Sequence, residues 1–186
     1  MPSNTENARM ITPLGSPVVA APDNPSDGDG PSDDERLAAH AAELAQGLER
    51  ALAPWVVRVV VERAEAWRPG SAIDLAGAAE EAGRRAAAQV GPEVRALLEL
   101  DVDEQPTGPL AIVRRAVAFP TAVLADAGVP PIVRDEFAER AFPDDVYGLA
   151  PASFADLDPA LREPGLVWGA AKAHVVLARR RAEGLR

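Results

Sequence analysis

The feature that most constrains this chain is a stripe of apolar residues, Leu37, Ala41, Leu44, Leu48, Leu52 and Trp55, recurring at steps of three and four. That spacing places one side of an α-helix against a core and does not suit a strand. It predicts a helix that starts after Asp33 or Asp34 as cap. Pro54 falls inside the pattern, where it lacks an amide donor and crowds the carbonyl of Arg50. A kink or restart is therefore expected there, followed by a second helical stretch from Trp55 to Trp67.

The rest of the folded part reads the same way. Ser71, with Asp74 three residues on, fits a capping box before an Ala-rich helix whose stripe is Leu75, Ala79, Ala82, Ala86 and Val90. Pro92, Pro109, Pro131, Pro151 and Pro159 each precede a short apolar-periodic run, as Pro does at the first helical position, so a helix is expected near each. The last, or one restarting after Pro164-Gly165, carries Val167, Ala171, Val175 and Ala178 and ends in Arg179, Arg180 and Arg181, whose charges suit a helix C-terminus. No sustained alternation or hairpin signal appears. The expected fold is all-α, an irregular bundle of about six to eight helices over residues 35–186.

Residues 1–34 are different. They are rich in Pro, Ser, Asn, Gly and Asp and hold too little apolar surface to offset their ordering entropy, so they read as a disordered acidic tail. Their six acids (Glu6, Asp23, Asp27, Asp29, Asp33, Asp34) against Arg9 account for half of the formal net charge of −10.

Composition then narrows the core and the function. The chain is 47% hydrophobic but only 4% aromatic, so Ala, Val and Leu must build the interior and helices must approach closely. With no cysteine, disulfides, thiolate nucleophiles and sulfur-ligated zinc are excluded. Lys172 is the only lysine among the 19 basic residues, a bias that fits genomic base composition in a bacterial-type, cytoplasmic protein. The acidic balance argues against nucleic acid and anionic membranes as partners, and no segment reads as a membrane span or export signal.

Chemistry-bearing motifs are scarce. His40 and His174 lie far apart, each without a neighbouring ligand at a metal spacing, and no nucleophile elbow, phosphate loop or dinucleotide fingerprint occurs, so no catalytic residue, metal or cofactor is assigned. Asp144-Asp145 and the Asp156, Asp158 pair sit in Pro-rich connections where Asp caps turns. Residues 122–137 faintly resemble a helix-turn-helix. Asp135, Glu136 and Glu139 on the second helix would repel DNA phosphates.

The segment Phe137 to Phe154 holds four of the eight aromatics. It reads either as a loop strapped over the core by its rings or as a recognition surface, because aromatic anchors with a polar edge suit interfaces. The candidate partner-binding residues are Trp67, Phe142, Asp144, Asp145, Tyr147 and Phe154, with Trp67 the tryptophan expected to be exposed because Arg68-Pro69-Gly70 ends its helix. The functional expectation is a non-catalytic adaptor, regulator or complex subunit acting on an unidentified protein partner. The alternatives are an enzyme or small-ligand binder with an Asp, Glu, Arg and His pocket between helices, and a helix-turn-helix regulator.

Removing the tail is expected to leave the thermal midpoint within a few degrees of the parent, the scale of ~1 kcal/mol for such a domain; a larger fall in a calorimetric scan contradicts the tail reading.

Overall fold

The computed structural model describes residues 30–97, 108–132 and 144–184. Among them there is no strand, and the chain is all-α as expected. The helices are α1 (Asp33–Trp67), α2 (Ala72–Ala96), α3 (Pro109–Arg114), α4 (Ala118–Asp126) and α5 (Arg162–Ala182). A 3-10 turn, Arg115–Val117, joins α3 to α4, so residues 109–126 form one continuous helical run and the described residues hold four helical bodies rather than six to eight.

Two prolines explain much of that difference. Pro54 lies inside α1 and Pro92 inside α2, and neither ends its helix. Both are exposed, and the carbonyls they leave without a donor belong to Arg50 and Ala88, which also face solvent. Water can serve those carbonyls, so the cost of the missing bond stays small enough for packing on the opposite face to hold the helix together. Pro109 does open α3, and Pro159 opens a 3-10 turn, Pro159–Leu161, that leads directly into α5. Pro151 instead precedes a short 3-10 turn at Phe154–Asp156. The run after Pro131, from 133 to 143, lies outside the described residues.

The caps differ from expectation as well. α1 starts at Asp33 because Ser32, not Asp33 or Asp34, is the cap: its Oγ accepts from the Glu35 amide at 3.2 Å while Glu35 Oε2 accepts from the Ser32 amide at 2.7 Å. Residues 33 and 34 therefore belong to the helical unit, which begins at Pro31. At α2 the Ser71–Asp74 box does not form. Ser71 is buried and donates to the Ala64 carbonyl at 2.8 Å, and Glu65 of α1 takes over, its carboxylate accepting from the Gly70 and Ala72 amides at 2.9 and 3.1 Å. One carboxylate thus fixes the short turn that reverses the chain between the two long helices.

That reversal lays α2 antiparallel along α1. Leu44, Leu48, Leu52 and Trp55 of the first stripe are buried, with Leu37 and Ala41 half-buried towards the helix start. Opposite them stand Ala79, Ala82, Ala86 and Val90, also buried, with Leu75 half-buried. The approach is tight at Gly83, where a Cβ would come within 2.9 Å of the Ala53 carbonyl oxygen. The residues of 109–126 close the core through Ile112, Val113, Ala116, Val123 and Leu124. α5 packs against α1 and buries Trp168, while the expected stripe is only partly inward: Ala171 and Val175 are half-buried, Val167 and Ala178 exposed.

Gly83 and Gly77 give a matched test in one helix. Gly77 has nothing within 4 Å of its Cβ direction, so Gly77→Ala should stabilise by about 1 kcal/mol through helix propensity. Gly83→Ala should destabilise by ~1–3 kcal/mol, since the contact is with backbone that cannot turn aside. Urea denaturation of both variants checks this, and a stabilised Gly83→Ala contradicts the close seam. Truncation offers a second check: ending the deletion before Pro31 should be neutral, whereas deletion through residue 34 removes the Ser32 cap and should cost about 1 kcal/mol.

Candidate functional site

The segment that sequence singled out, from residue 144 onward, is a strap built by side-chain-to-backbone hydrogen bonds. Asp145 is buried, and its two oxygens accept from the Leu149 and Ala150 amides at 2.7 and 2.8 Å. Gly148 takes a φ of 68°, the left-handed turn this carboxylate encloses. Tyr147 is buried too, and its hydroxyl donates to the Val129 carbonyl at 2.9 Å. Asp156 Oδ2 accepts from the Ala152 and Ser153 amides at 2.8 and 2.7 Å, and Asp158 Oδ1 accepts from the Ala160 amide at 2.9 Å. The acids of this connection are turn and cap groups, as Asp in Pro-rich loops ordinarily is.

Arginines from the helices hold the strap down. Arg58 of α1 donates through Nη2 to the Asp156 and Leu157 carbonyls, the latter at 3.1 Å, and Arg114 donates through Nε to the Pro151 carbonyl at 3.1 Å. Phe154 lies half-buried over Gly165 of α5, where any Cβ would collide with its ring.

The six expected partner-binding residues therefore have different fates. Asp145 and Tyr147 are inside and Phe154 is half inside, all three serving the strap, which agrees with the reading of a loop held by its rings. Asp144 is exposed. Trp67 is also exposed, at 37%, with the Arg68 guanidinium 5.0 Å from its ring centroid. Phe142 lies outside the described residues, as does the second helix of the helix-turn-helix resemblance. Trp67 ends α1 beside a cleft that Ala66 helps to line, whereas Asp144 lines a different one, so the structure does not gather the five described residues into one patch.

Those two clefts flank the strap. The first, about 500 Å³, is lined by Trp55, Arg58, Glu62, Arg63, Tyr147 and Asp156 among others. Its polar groups are largely committed, since Arg58 and Asp156 serve the strap backbone and Arg63 donates to the Pro130 carbonyl at 3.3 Å. The second, about 490 Å³, has a mainly apolar wall from Val117, Ala118 and Ala122, with Asp144 and Arg115 on it, the latter paired with Glu93. Neither histidine lines either cleft: His40 sits 3.5 Å from Glu43 on α1, and His174 is exposed on α5. Among the described residues no three His, Asp or Glu come together as a metal site would require.

A feature that sequence reasoning missed lies on α5. Leu166 is 60% exposed and Leu177 52%, and Val167 and Val176 stand open beside them. The signal was present in the sequence, because Leu166, Ala170, Ala173 and Leu177 repeat at the same three and four spacing as the stripe assigned to this helix. Two stripes competed, and the Trp168 ring, 6% exposed, decided which side turned inward.

Comparison with family models, curated proteins and solved structures finds no match to this chain. Function must rest on the geometry.

The strap makes a prediction that separates its two neighbouring acids. Asp145→Ala leaves two half-buried amides without an acceptor and should cost ~1–3 kcal/mol, whereas Asp144→Ala should be near neutral. Chemical denaturation of the two variants reads the difference, and equal stability contradicts the strap account.

Proposed function

We propose that the protein works by binding another polypeptide, without catalysis of its own, as an adaptor, regulator or complex subunit. The observation that supports this is the outer face of α5: two large leucines at 60% and 52% exposure with valines at their edge, on a helix anchored to α1 from its other side. Scattered single apolar residues are normal on protein surfaces, but a helical row of them is what a partner helix or groove takes up. The surface thus moves from the aromatic strap, whose rings are occupied in holding the fold, to α5.

The acidic composition argues against nucleic acid in spite of Arg179, Arg180 and Arg181 at the end of this helix. No helix of the described residues is long and apolar enough to cross a membrane. A small-ligand reading draws support from the first cleft, where Arg58, Glu62, Arg63 and Asp156 converge. It is the weaker of the two, because Arg58, Arg63 and Asp156 already bond to the chain's own backbone.

The test is a paired substitution, L166R with L177R. Both positions are exposed, so the melting temperature should stay within a few degrees of the parent while association with partners, measured with the full chain as bait, is lost. Unchanged association contradicts the assignment of α5, and a collapse in stability means that this face is covered within the chain.

A further inference from the structure

The first cleft, of about 500 Å³, falls within the ~300–1,000 Å³ that small-molecule sites occupy. Val59, Ala66 and Leu149 give it an apolar wall, and none of its lining residues lies on α5. Four charged residues also line it, Arg58 and Arg63 against Glu62 and Asp156, so the lining carries no net charge. They are not equally engaged. The Asp156 carboxylate accepts from the Ala152 and Ser153 amides, and Arg58 is held by the Asp156 and Leu157 carbonyls. Glu62 and Arg63, adjacent on α1, keep much of their capacity unused. Glu62 is exposed and has no hydrogen-bond or ion-pair partner among the described residues. Arg63 pairs with no carboxylate there: its Nη2 donates to the Pro130 carbonyl at 3.3 Å, while its Nε is buried with no acceptor.

A half-buried guanidinium with an orphaned donor is costly unless something else uses it. Turning from one bond with a neutral carbonyl to a carboxylate in the cleft would give Arg63 two charge-assisted bonds in place of one ordinary one. A bare anion there is opposed by Glu62 and a bare cation by the two arginines, so the ligand that satisfies both ends carries both charges. We propose that this cleft is a second binding site, separate from the face on α5, for a small zwitterion of the α-amino acid kind with an apolar side chain. Its carboxylate lies on the Arg63 guanidinium, its ammonium on the Glu62 carboxylate, and its side chain against Val59, Ala66 and Leu149. The strap stays in place, because Arg58 keeps its two carbonyls and Asp156 its two amides. A doubly charged phosphate gains the same arginine but meets two acids, which disfavours it.

Isothermal titration calorimetry of the full chain with L-leucine should give a Kd of ~0.1–1 mM, the range for a ligand of this size. Isocaproate, which lacks the ammonium, and isoamylamine, which lacks the carboxylate, should each bind ~10-fold or more weakly, and inorganic phosphate should bind more weakly than leucine. E62Q should weaken leucine by ~10-fold without weakening isocaproate, so that the two probes converge, a ratio that a merely structural role would not move. R63Q should weaken leucine and isocaproate alike. Both variants should melt with the parent. Should R63Q melt lower, E62Q, at an exposed position, and R63K, which keeps the charge but not the fork, carry the test, each with weakened leucine binding. L166R with L177R should bind leucine as the parent does, which separates this site from the α5 face. A parent that takes up no leucine at ~10 mM, well above the expected Kd, overturns the proposal. So does leucine binding that survives E62Q and R63Q, or phosphate binding tighter than leucine.

Discussion

The structure depends on the seam between α1 and α2. A chain with few aromatic residues cannot span wide gaps with large rings, so its two longest helices must come close enough for alanine to touch alanine. At Gly83 the second helix lies against the backbone of the first, with a hypothetical Cβ 2.9 Å from the Ala53 carbonyl oxygen. Close contact over this length explains why Ala79, Ala82 and Ala86 are fully enclosed although each contributes little surface alone. It also explains why Pro54 and Pro92 are tolerated. Each sits on the solvent side of its helix, where a lost hydrogen bond is replaced by water, while the opposite side is pinned along the seam.

The seam sets what the other elements must do. The Glu65 carboxylate fixes the reversal between the helices, and residues 109–126 cover one side of the pair. The strap covers another, held by arginine donors to its carbonyls and by aspartates accepting its amides. Little of this polar network is left for chemistry. Leu157, Leu161 and Trp168 dock the start of α5, whose outer row then faces away from everything the core requires.

How much of this could be read from the sequence follows from what each signal measures. The Leu44, Leu48, Leu52, Trp55 stripe and the alanine stripe of α2 were legible because periodicity reports directly on burial. The aspartates of the connection were legible as caps for the same local reason. Breaks at proline were misjudged because a proline's cost depends on whether its orphaned carbonyl reaches water, which is a tertiary property. The Ser71 cap does not form because its hydroxyl donates back to the Ala64 carbonyl of the preceding helix, while Glu65 accepts from the neighbouring Gly70 and Ala72 amides. The strap's aromatics revealed their importance but not their direction, and Tyr147 turned inward to Val129. On α5 two apolar stripes share one helix, and only the burial of Trp168 separates the structural one from the exposed one.

The central claim is that the α1–α2 seam stabilises the fold by itself while the outer row of α5 is left for association. Amide hydrogen exchange of the full chain, read segment by segment, tests it most directly. Protection of α1 and α2 should be highest in the chain, whereas the second half of α5, exposed along most of its length, should exchange quickly in dilute solution. An α5 equally protected in dilute solution, or an α1–α2 seam that exchanges as fast as α5, would contradict the account.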